Sequence, residues 1–169
     1  MSGITVLGID PGIATTGIGL VREEGNSLKA LYYGCISTRA GEETTTRLIN
    51  IKNEIKFLLD KYRPNEVAIE QLFFNNNAKT AFAVGQAKGV LILTAGEAGY
   101  AVTEYTPLQV KMAVAGTGGA EKFQVQQMVK SLLGLATIPK PDDAADALAI
   151  AICHIHSYKF KRRTEMAKV

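Results

Sequence analysis

The sequence predicts an α/β protein built on a five-stranded mixed sheet with helices on both faces. Near the start, short apolar runs are separated by connections too short to hold a helix, which is typical of an antiparallel meander. Later runs alternate with long amphipathic helices, which is typical of parallel crossovers. Because 169 residues can bury one substantial core, a single sheet accounts for both patterns.

The five strands are predicted from apolar runs that end at polar or turn-forming residues. The first run stops at Asp10, directly before the Pro-Gly of a DPGIAT loop, and the fourth run (EVAIE) ends at Glu70. Sites in sheets of this kind form beyond the strand ends, so both carboxylates stand where a site is expected. The predicted strands are Ile4–Ile9, Gly17–Val21, Leu28–Ile36, Glu66–Glu70 and Tyr100–Tyr105.

The helices are predicted from apolar residues that recur at helical spacing. Pro64 stops the first helix, and a Thr-Pro pair at 106–107 opens the third, since proline is favoured at the first helical position. The predicted helices are Thr45–Tyr62, Ala78–Ala95, Thr106 to about Val114, Glu121–Leu133, and a last helix within Lys140–His154.

The composition is that of an ordinary globular protein, with 47% hydrophobic and 21% charged residues. A net charge of +3 is too small to indicate a polyanion partner by itself. We divide the chain into a domain over residues 1–158 and a basic tail over residues 159–169. The tail carries Lys159, Lys161, Arg162 and Arg163, which are either solvated or in contact with phosphate.

Cysteine usage and hydropathy predict a cytoplasmic location. Cys35 and Cys153 lie in apolar contexts without CxxC spacing, so we expect buried free thiols in a reducing compartment. The longest apolar stretch, Ala81–Val102, is interrupted by Lys88 and Glu97 and makes a poor membrane span. The N-terminal residues show no signal-peptide pattern.

The last helix is almost wholly apolar (KPDDAADALAIAICH) and yet begins with three aspartates. Asp142 or Asp143 can be explained as a helix cap. Asp146 cannot, because the residues one turn further on are apolar and its carboxylate therefore lies on a stripe expected to be buried. Since burying an unpaired carboxylate is costly, a cation or hydrogen-bond donors should compensate Asp146.

Four acids share a position at the border of apolar segments, and they would repel one another if they met. Asp10 and Glu70 end strands, while Asp143 and Asp146 are three apart on one helix and face the same way. Oxygen-only ligands select Mg²⁺ or Mn²⁺, and two such ions roughly 4 Å apart can hydrolyse a phosphodiester. Each acid also has an ordinary explanation as a turn residue, a strand end or a cap, so the residues alone leave both interpretations open.

Four segments of the chain follow one another in a recognisable order and spacing. They are GIDPGIATTGIG, AIEQLFFNNNAKTAFAVGQAKGV, YTPLQVKMAVAGTGGAEKFQVQQMV and DDAADALAIAICH. With these segments the chain resembles the RuvC family of bacterial Holliday-junction endonucleases over nearly its whole length. The resemblance implies a ribonuclease H-like fold, in agreement with the mixed sheet predicted above.

The resemblance implies that the four acids are catalytic metal ligands. Asp10, Glu70, Asp143 and Asp146 would hold two Mg²⁺ ions, with Mn²⁺ able to substitute and Asp10 between the ions. Asp143 matches the family's acid three residues before the last one. Asp142 lies four before Asp146 and can also face the site, although a capping or solvated role suits it better.

The resemblance also implies three contacts with DNA. Lys111 and Lys122 match lysines near the substrate phosphate, and Phe73 matches an aromatic residue that stacks on an unpaired base at the junction centre. Without the resemblance, the lysines would be interpreted as surface residues and Phe73 as a core residue.

The implied activity is metal-dependent hydrolysis of a four-way DNA junction, leaving a 5′-phosphate and a 3′-hydroxyl. A homodimer would supply two active sites related by a two-fold axis. Ala81, Gly85 and Gly89 lie one turn apart on the second helix and permit close approach of either a second subunit or a neighbour in the same subunit. A branch-migration motor of the RuvA and RuvB type is the expected partner.

Three other functions fit the sequence less well. An actin-like or sugar-kinase-like ATPase needs a second phosphate loop, and the sequence has no second copy. A ribonuclease H-like protein of RNA processing would be expected to lack the EQLFF and DDAADALA segments. A junction-binding protein that does not cut has no need for all four acids.

Overall fold

A computed structural model describes residues 3–72 and 78–166, with only the helical backbone for residues 78–79 and 159–166. The strands are β1 (Thr5–Asp10), β2 (Thr15–Glu24), β3 (Ser27–Ser37), β4 (Glu66–Glu70) and β5 (Val102–Tyr105). The helices are α1 (Thr44–Tyr62), α2 (Ala78–Glu97), α3 (Pro107–Ala115), α4 (Lys122–Leu132) and α5 (Asp142–Met166).

The five strands form one mixed sheet in the order β3-β2-β1-β4-β5. The β1–β2 and β2–β3 pairs are antiparallel, whereas β4 pairs in parallel with β1 and with β5. The predicted architecture is therefore confirmed. Because β1 and β4 are parallel neighbours, Asp10 and Glu70 end adjacent strands at the same edge of the sheet.

The hairpin of β2 and β3 is longer than the sequence predicted. β2 continues to Glu24 and β3 starts at Ser27, joined by a tight turn in which Gly25 has a positive φ of 62°. The additional residues are mostly exposed, with an alternating or polar pattern. The continuous apolar run covers only Gly17–Val21 of β2, whereas the predicted range of β3 is one residue short at each end.

Helices cover both faces of the sheet, as predicted. One face of the sheet packs against α1 and α2, and its core includes Leu7, Ile18 and Ile69. The other face packs against α3, α4 and α5, and its core includes Val6, Val21 and Ala68. Successive strand residues point to opposite faces, so Asp10 and Glu70 lie on the same side as Val6 and Ala68, which is the α5 side.

Glycines on β1 and β2 let α5 lie directly on the sheet. A β carbon at Gly8 or Gly17 would overlap the backbone carbonyl oxygen of Ala147 or Asp143, and one at Gly19 would lie 2.5 Å from the Leu148 nitrogen. No side chain fits between strand and helix at these positions. The start of α5 is therefore held against the end of β1, where Asp10 lies.

The last helix extends further than the sequence predicted. It runs for 25 residues to Met166 and so includes most of the segment expected to be a basic tail. The division at residue 158 stays a prediction. Among the residues that the structure describes, no helix is both long and apolar enough to cross a membrane.

One face of α2 is apolar and points away from the molecule. Phe82 is 69% exposed and Leu93 is 59% exposed. Between them, a β carbon added at Gly85 or Gly89 would meet nothing within 4 Å. In the described part of the chain, therefore, nothing packs against these glycines, although the sequence had left packing within one subunit open.

Candidate active site

The strand ends and the start of α5 bring the four predicted acids into one cluster. Asp10 and Glu70 come from β1 and β4, and Asp143 and Asp146 come from the first turns of α5. All four are partly buried. Their charges act on one another, as the pKa of Asp10 shows.

Asp10 has the most strongly shifted acid group of the cluster. Burial, followed by the charges of Glu70, Asp146 and Asp143, raises the pKa of its carboxyl from 3.8 to about 8. The positive charge of Lys122 opposes this shift without cancelling it. The site therefore has more negative charge than the nearby protein groups can compensate.

Glu70 and Asp146 are shifted in the same direction. Burial and the charge of Asp146 raise the pKa of Glu70, against lowering contributions from a hydrogen bond with Asp10 and from the charges of Lys122 and Lys88. Lys88 is itself buried and forms an ion pair with Glu104, with 2.6 Å between Nζ and Oε2. Burial also raises the pKa of Asp146, so the pKa is shifted upward for three carboxyls of one cluster.

Lys122 compensates Asp146, as the apolar surroundings of that aspartate required. Its Nζ lies 3.0 Å from Asp146 Oδ2 and 3.8 Å from Asp142 Oδ2. Desolvation lowers the pKa of Lys122, but the hydrogen bond and charge of Asp146, with the charges of Asp142 and Asp143, outweigh it and raise that pKa. The predicted lysine is thus in direct contact with the acid cluster.

Lys111 borders the same site. A cavity of about 180 Å³ lies beside the acids and between α3, α4 and α5. It is lined by both acidic and basic side chains. Its lining residues are Glu70, Pro107, Val110, Lys111, Lys122, Val125, Asp146 and Ala149.

The donor set suits a hard divalent cation. The acids offer only carboxylate oxygens, which Mg²⁺ and Mn²⁺ prefer, and burial and the charges of the neighbouring acids together raise the pKa of Asp10. Within the described ranges, no group of three aspartate, glutamate, histidine or cysteine side chains is arranged to hold an ion. The carboxylate of Asp146 instead forms an ion pair with the ammonium of Lys122. The metal-ligand roles therefore remain a proposal.

Two sequence predictions near the site have different outcomes. Phe73 lies outside the residues that the structure describes, so its contact with DNA stays a prediction. Cys35 is a free thiol, as expected, but it is only partly buried because β3 is an edge strand. Desolvation and the charges of Asp143 and Asp10 raise the pKa of the Cys35 thiol to about 11.

The residues that sequence reasoning missed are glycines. Gly8, Gly17 and Gly19 allow α5 to approach the strands and thereby set where Asp143 and Asp146 lie. Two of them, Gly17 and Gly19, alternate with Ile18 in the GIG of β2. This pattern was a usable signal, since glycine inside a strand often marks close approach of another backbone.

Comparison with known sequences finds close relatives of one kind. A family model described as crossover junction endodeoxyribonuclease RuvC matches residues 6–154. The protein of that name from Syntrophomonas wolfei is 57% identical over 154 residues, which is 91% of this chain and 90% of the relative. The one from Alkaliphilus oremlandii is 52% identical over 164 residues, covering 97% of this chain and 98% of the relative.

Solved structures give the same result. The Thermus thermophilus RuvC structure is 39% identical with a TM-score of 0.88, over 93% of this chain and 96% of that one. T. thermophilus RuvC in complex with Holliday junction substrate is 38% identical with a TM-score of 0.90, over 94% and 96%. The yeast mitochondrial Holliday junction resolvase Ydc2, at 13% identity and a TM-score of 0.71 over 96% of this chain and 82% of that one, shares the fold.

Proposed function

The chain belongs to the RuvC family of crossover junction endodeoxyribonucleases, and we propose that it cuts four-way DNA junctions with Asp10, Glu70, Asp143 and Asp146. One observation carries this assignment of residues. Asp10 lies among three other acids at the end of its strand, and burial together with the charges of those acids raises its pKa to about 8. A merely structural set of acids has no reason to gather in this way.

Membership of this nuclease family implies use of a divalent metal ion. We propose two Mg²⁺ ions per active site, with Mn²⁺ able to substitute, held by the four acids. When bound, such ions activate a water molecule and stabilise the leaving oxygen of a phosphodiester. Asp10 suits a position between them, because the other three acids all act on its carboxyl.

The two lysines are proposed to hold the substrate phosphate. Lys111 and Lys122 line one cavity with Glu70 and Asp146, so a phosphate at the acids would lie within reach of both ammonium groups. Their charges would position the DNA backbone and stabilise negative charge that develops during cleavage. Phe73, directly beyond β4 in the sequence, is proposed to stack on a base at the opened junction centre.

Cutting both of the opposing strands requires two active sites in a fixed relation, and we propose a homodimer. The exposed face of α2 supports this proposal, since Phe82 and Leu93 are large apolar side chains in solvent. Gly85 and Gly89 lie between them and would allow a second helix to approach closely. Two copies of this face would bury each other's apolar surface.

The cellular setting is proposed from the family. A branch-migration motor of the RuvA and RuvB type would deliver junctions to the enzyme. A DNA substrate together with two free cysteines in the described chain fits a cytoplasmic protein.

The experiment that tests this function compares a labelled four-way junction with a linear duplex of the same sequence, in Mg²⁺ and in EDTA. We expect paired symmetric nicks on the junction only, with a 5′-phosphate and a 3′-hydroxyl that ligase seals. Asp146→Asn should lower the cleavage rate at least about a hundredfold, because one ligand carboxylate is lost, and should leave junction binding intact. The matched control is Asp60→Asn, an exposed acid on α1 across the sheet. Equal cutting of both substrates would refute the junction selectivity.

A further inference from the structure

Lys122 lies between two carboxylates of α5, only one of which is assigned to the metal. It is 3.0 Å from Asp146 and 3.8 Å from Asp142, measured from Nζ to the nearer oxygen. Asp142 in turn receives a hydrogen bond of 2.7 Å from Lys140 Nζ. The entrance of the site therefore contains an alternating chain of charges, from Lys140 through Asp142 and Lys122 to Asp146.

The geometry allows Lys122 to change partners. Asp142 and Asp146 are four residues apart on one helix, so their β carbons lie about 6 Å from each other on the same side. The side chains of Lys122 and Asp142 are 56% and 46% exposed, whereas Asp146 is 32% exposed. A lysine side chain has enough rotatable bonds to move its ammonium between two such acids without any backbone change.

A cation that binds Asp146 competes with Lys122 for the same carboxylate. If the ammonium had no other partner, its displacement would leave a positive charge facing a divalent ion, and binding of the ion would be weakened. Asp142 offers a second carboxylate on the solvent side. It is partly neutralised by Lys140, but it has further oxygen lone pairs to accept Lys122.

We propose that Asp142 is a positioning residue that receives Lys122 when a divalent cation takes over Asp146. Lys122 then stays beside the cavity, where it can meet the substrate phosphate, and the carboxylate of Asp146 becomes available to the ion. The inference rests on the proposed role of Asp146 as a ligand and gives Asp142 a role distinct from metal binding.

The test measures Mn²⁺ affinity by calorimetry, without DNA, in a double-mutant cycle of Asp142→Asn and Lys122→Met. Asparagine keeps the size of the side chain and removes its charge. We expect Asp142→Asn alone to weaken Mn²⁺ binding about threefold to fivefold, the size expected for a partly exposed ion pair. In the Lys122→Met background the same change should alter affinity by less than about 1.5-fold, because no ammonium is left to receive.

Two results would overturn the proposal. An equal loss of affinity in both backgrounds would mean that Asp142 acts on the ion directly, as a ligand or through its charge. No loss in either background would mean that Asp142 has no part in the exchange. Asp60→Asn controls for the removal of one negative charge, and thermal unfolding of each variant checks that the fold is kept.

The same set of variants distinguishes failure of the proposed metal site from failure of the positioning role alone. If Asp146→Asn binds Mn²⁺ as well as the unaltered protein does, Asp146 is not a ligand, and the proposed function fails together with the inference. If Asp146→Asn abolishes binding while the cycle shows no coupling between Asp142 and Lys122, only the positioning role is lost.

Discussion

At the scale of the residue, the site consists of acids placed where acids are unfavourable. Asp10 lies at the end of an apolar strand, partly buried, with three other carboxyls acting on it. Its pKa of about 8 means that the metal-free protein holds Asp10 protonated at neutral pH. A bound divalent cation would remove this penalty, so stability, pH and metal should be linked.

We predict that the metal-free protein becomes less stable as pH rises from about 5 to 8. In the unfolded chain the pKa of Asp10 is near 3.8, so the carboxyl has lost its proton throughout that window. In the folded protein its pKa is about 8, so the carboxyl keeps its proton. Because the folded state binds more protons, it loses stability as the pH increases. The free energy of unfolding in EDTA should fall by about 1–3 kcal/mol. Urea unfolding at the two pH values measures it.

Asp10→Asn is the control for that prediction, because it cannot titrate. Burial lowers the pKa of His154, which acts on stability in the opposite direction, and the difference between the protein and its variant removes that contribution and reports Asp10 together with its coupling to the neighbouring acids. A pH dependence that is the same in both proteins would show that Asp10 is not the group responsible.

Sequence reasoning reached the acids but not all of their surroundings. The apolar stripe after Asp146 correctly required a compensating group, and Lys122 supplies it. The identity of that group did not follow from the stripe, because Lys122 lies on a different helix and only tertiary packing brings it to Asp146. The same limit applies to Cys35, whose partial exposure results from the edge position of β3.

At the scale of the element, the packing of α5 on β1 and β2 sets the geometry of the site. Gly8, Gly17 and Gly19 remove the side chains that would hold the helix away. The order and type of every element were readable from apolar periodicity and turn residues. The lengths of β2 and α5 were not, because their ends carry no apolar pattern.

We predict that Gly17→Ala lowers the free energy of unfolding by about 2 kcal/mol, since its β carbon would overlap the Asp143 carbonyl oxygen and push α5 outward. The same shift should weaken Mn²⁺ binding, because Asp143 and Asp146 move with the helix. Chemical denaturation and calorimetry measure the two effects. Gly34→Ala is the matched control, since on β3 its β carbon would meet only the end of the Tyr32 side chain, with the hydroxyl at 3.2 Å and Cζ at 3.6 Å. Equal effects of both changes would contradict this account of α5.

At the scale of the whole molecule, the fold is ribonuclease H-like, as the family resemblance implied. The sheet presents its acids at one edge, while the apolar face of α2 lies outside the packed layers. In the described part of the chain, a single subunit therefore combines a cluster of acids with an exposed apolar face on α2. In the proposed dimer, the two α2 faces would cover each other, and the assembly would contain two clusters of acids.

We predict that Phe82→Glu converts the dimer to a monomer, because two buried negative charges would face each other across the axis. Light scattering should show the halved mass. Junction cleavage should then give single, unpaired nicks, since only one active site remains for each bound molecule. Phe123→Glu is the control for mass, since Phe123 is similarly exposed at 60% but lies on α4, across the sheet from α2. A Phe82→Glu protein that stays dimeric would place the interface elsewhere.

The central claim is that Asp10, Glu70, Asp143 and Asp146 form one divalent-metal site. The most direct measurement is anomalous diffraction from crystals of the protein grown with Mn²⁺. The account predicts two anomalous peaks roughly 4 Å apart, in contact with carboxylate oxygens of these four residues, with Lys122 moved from Asp146 toward Asp142. Manganese bound away from the four acids, or no peak among them at saturating Mn²⁺, would contradict the account.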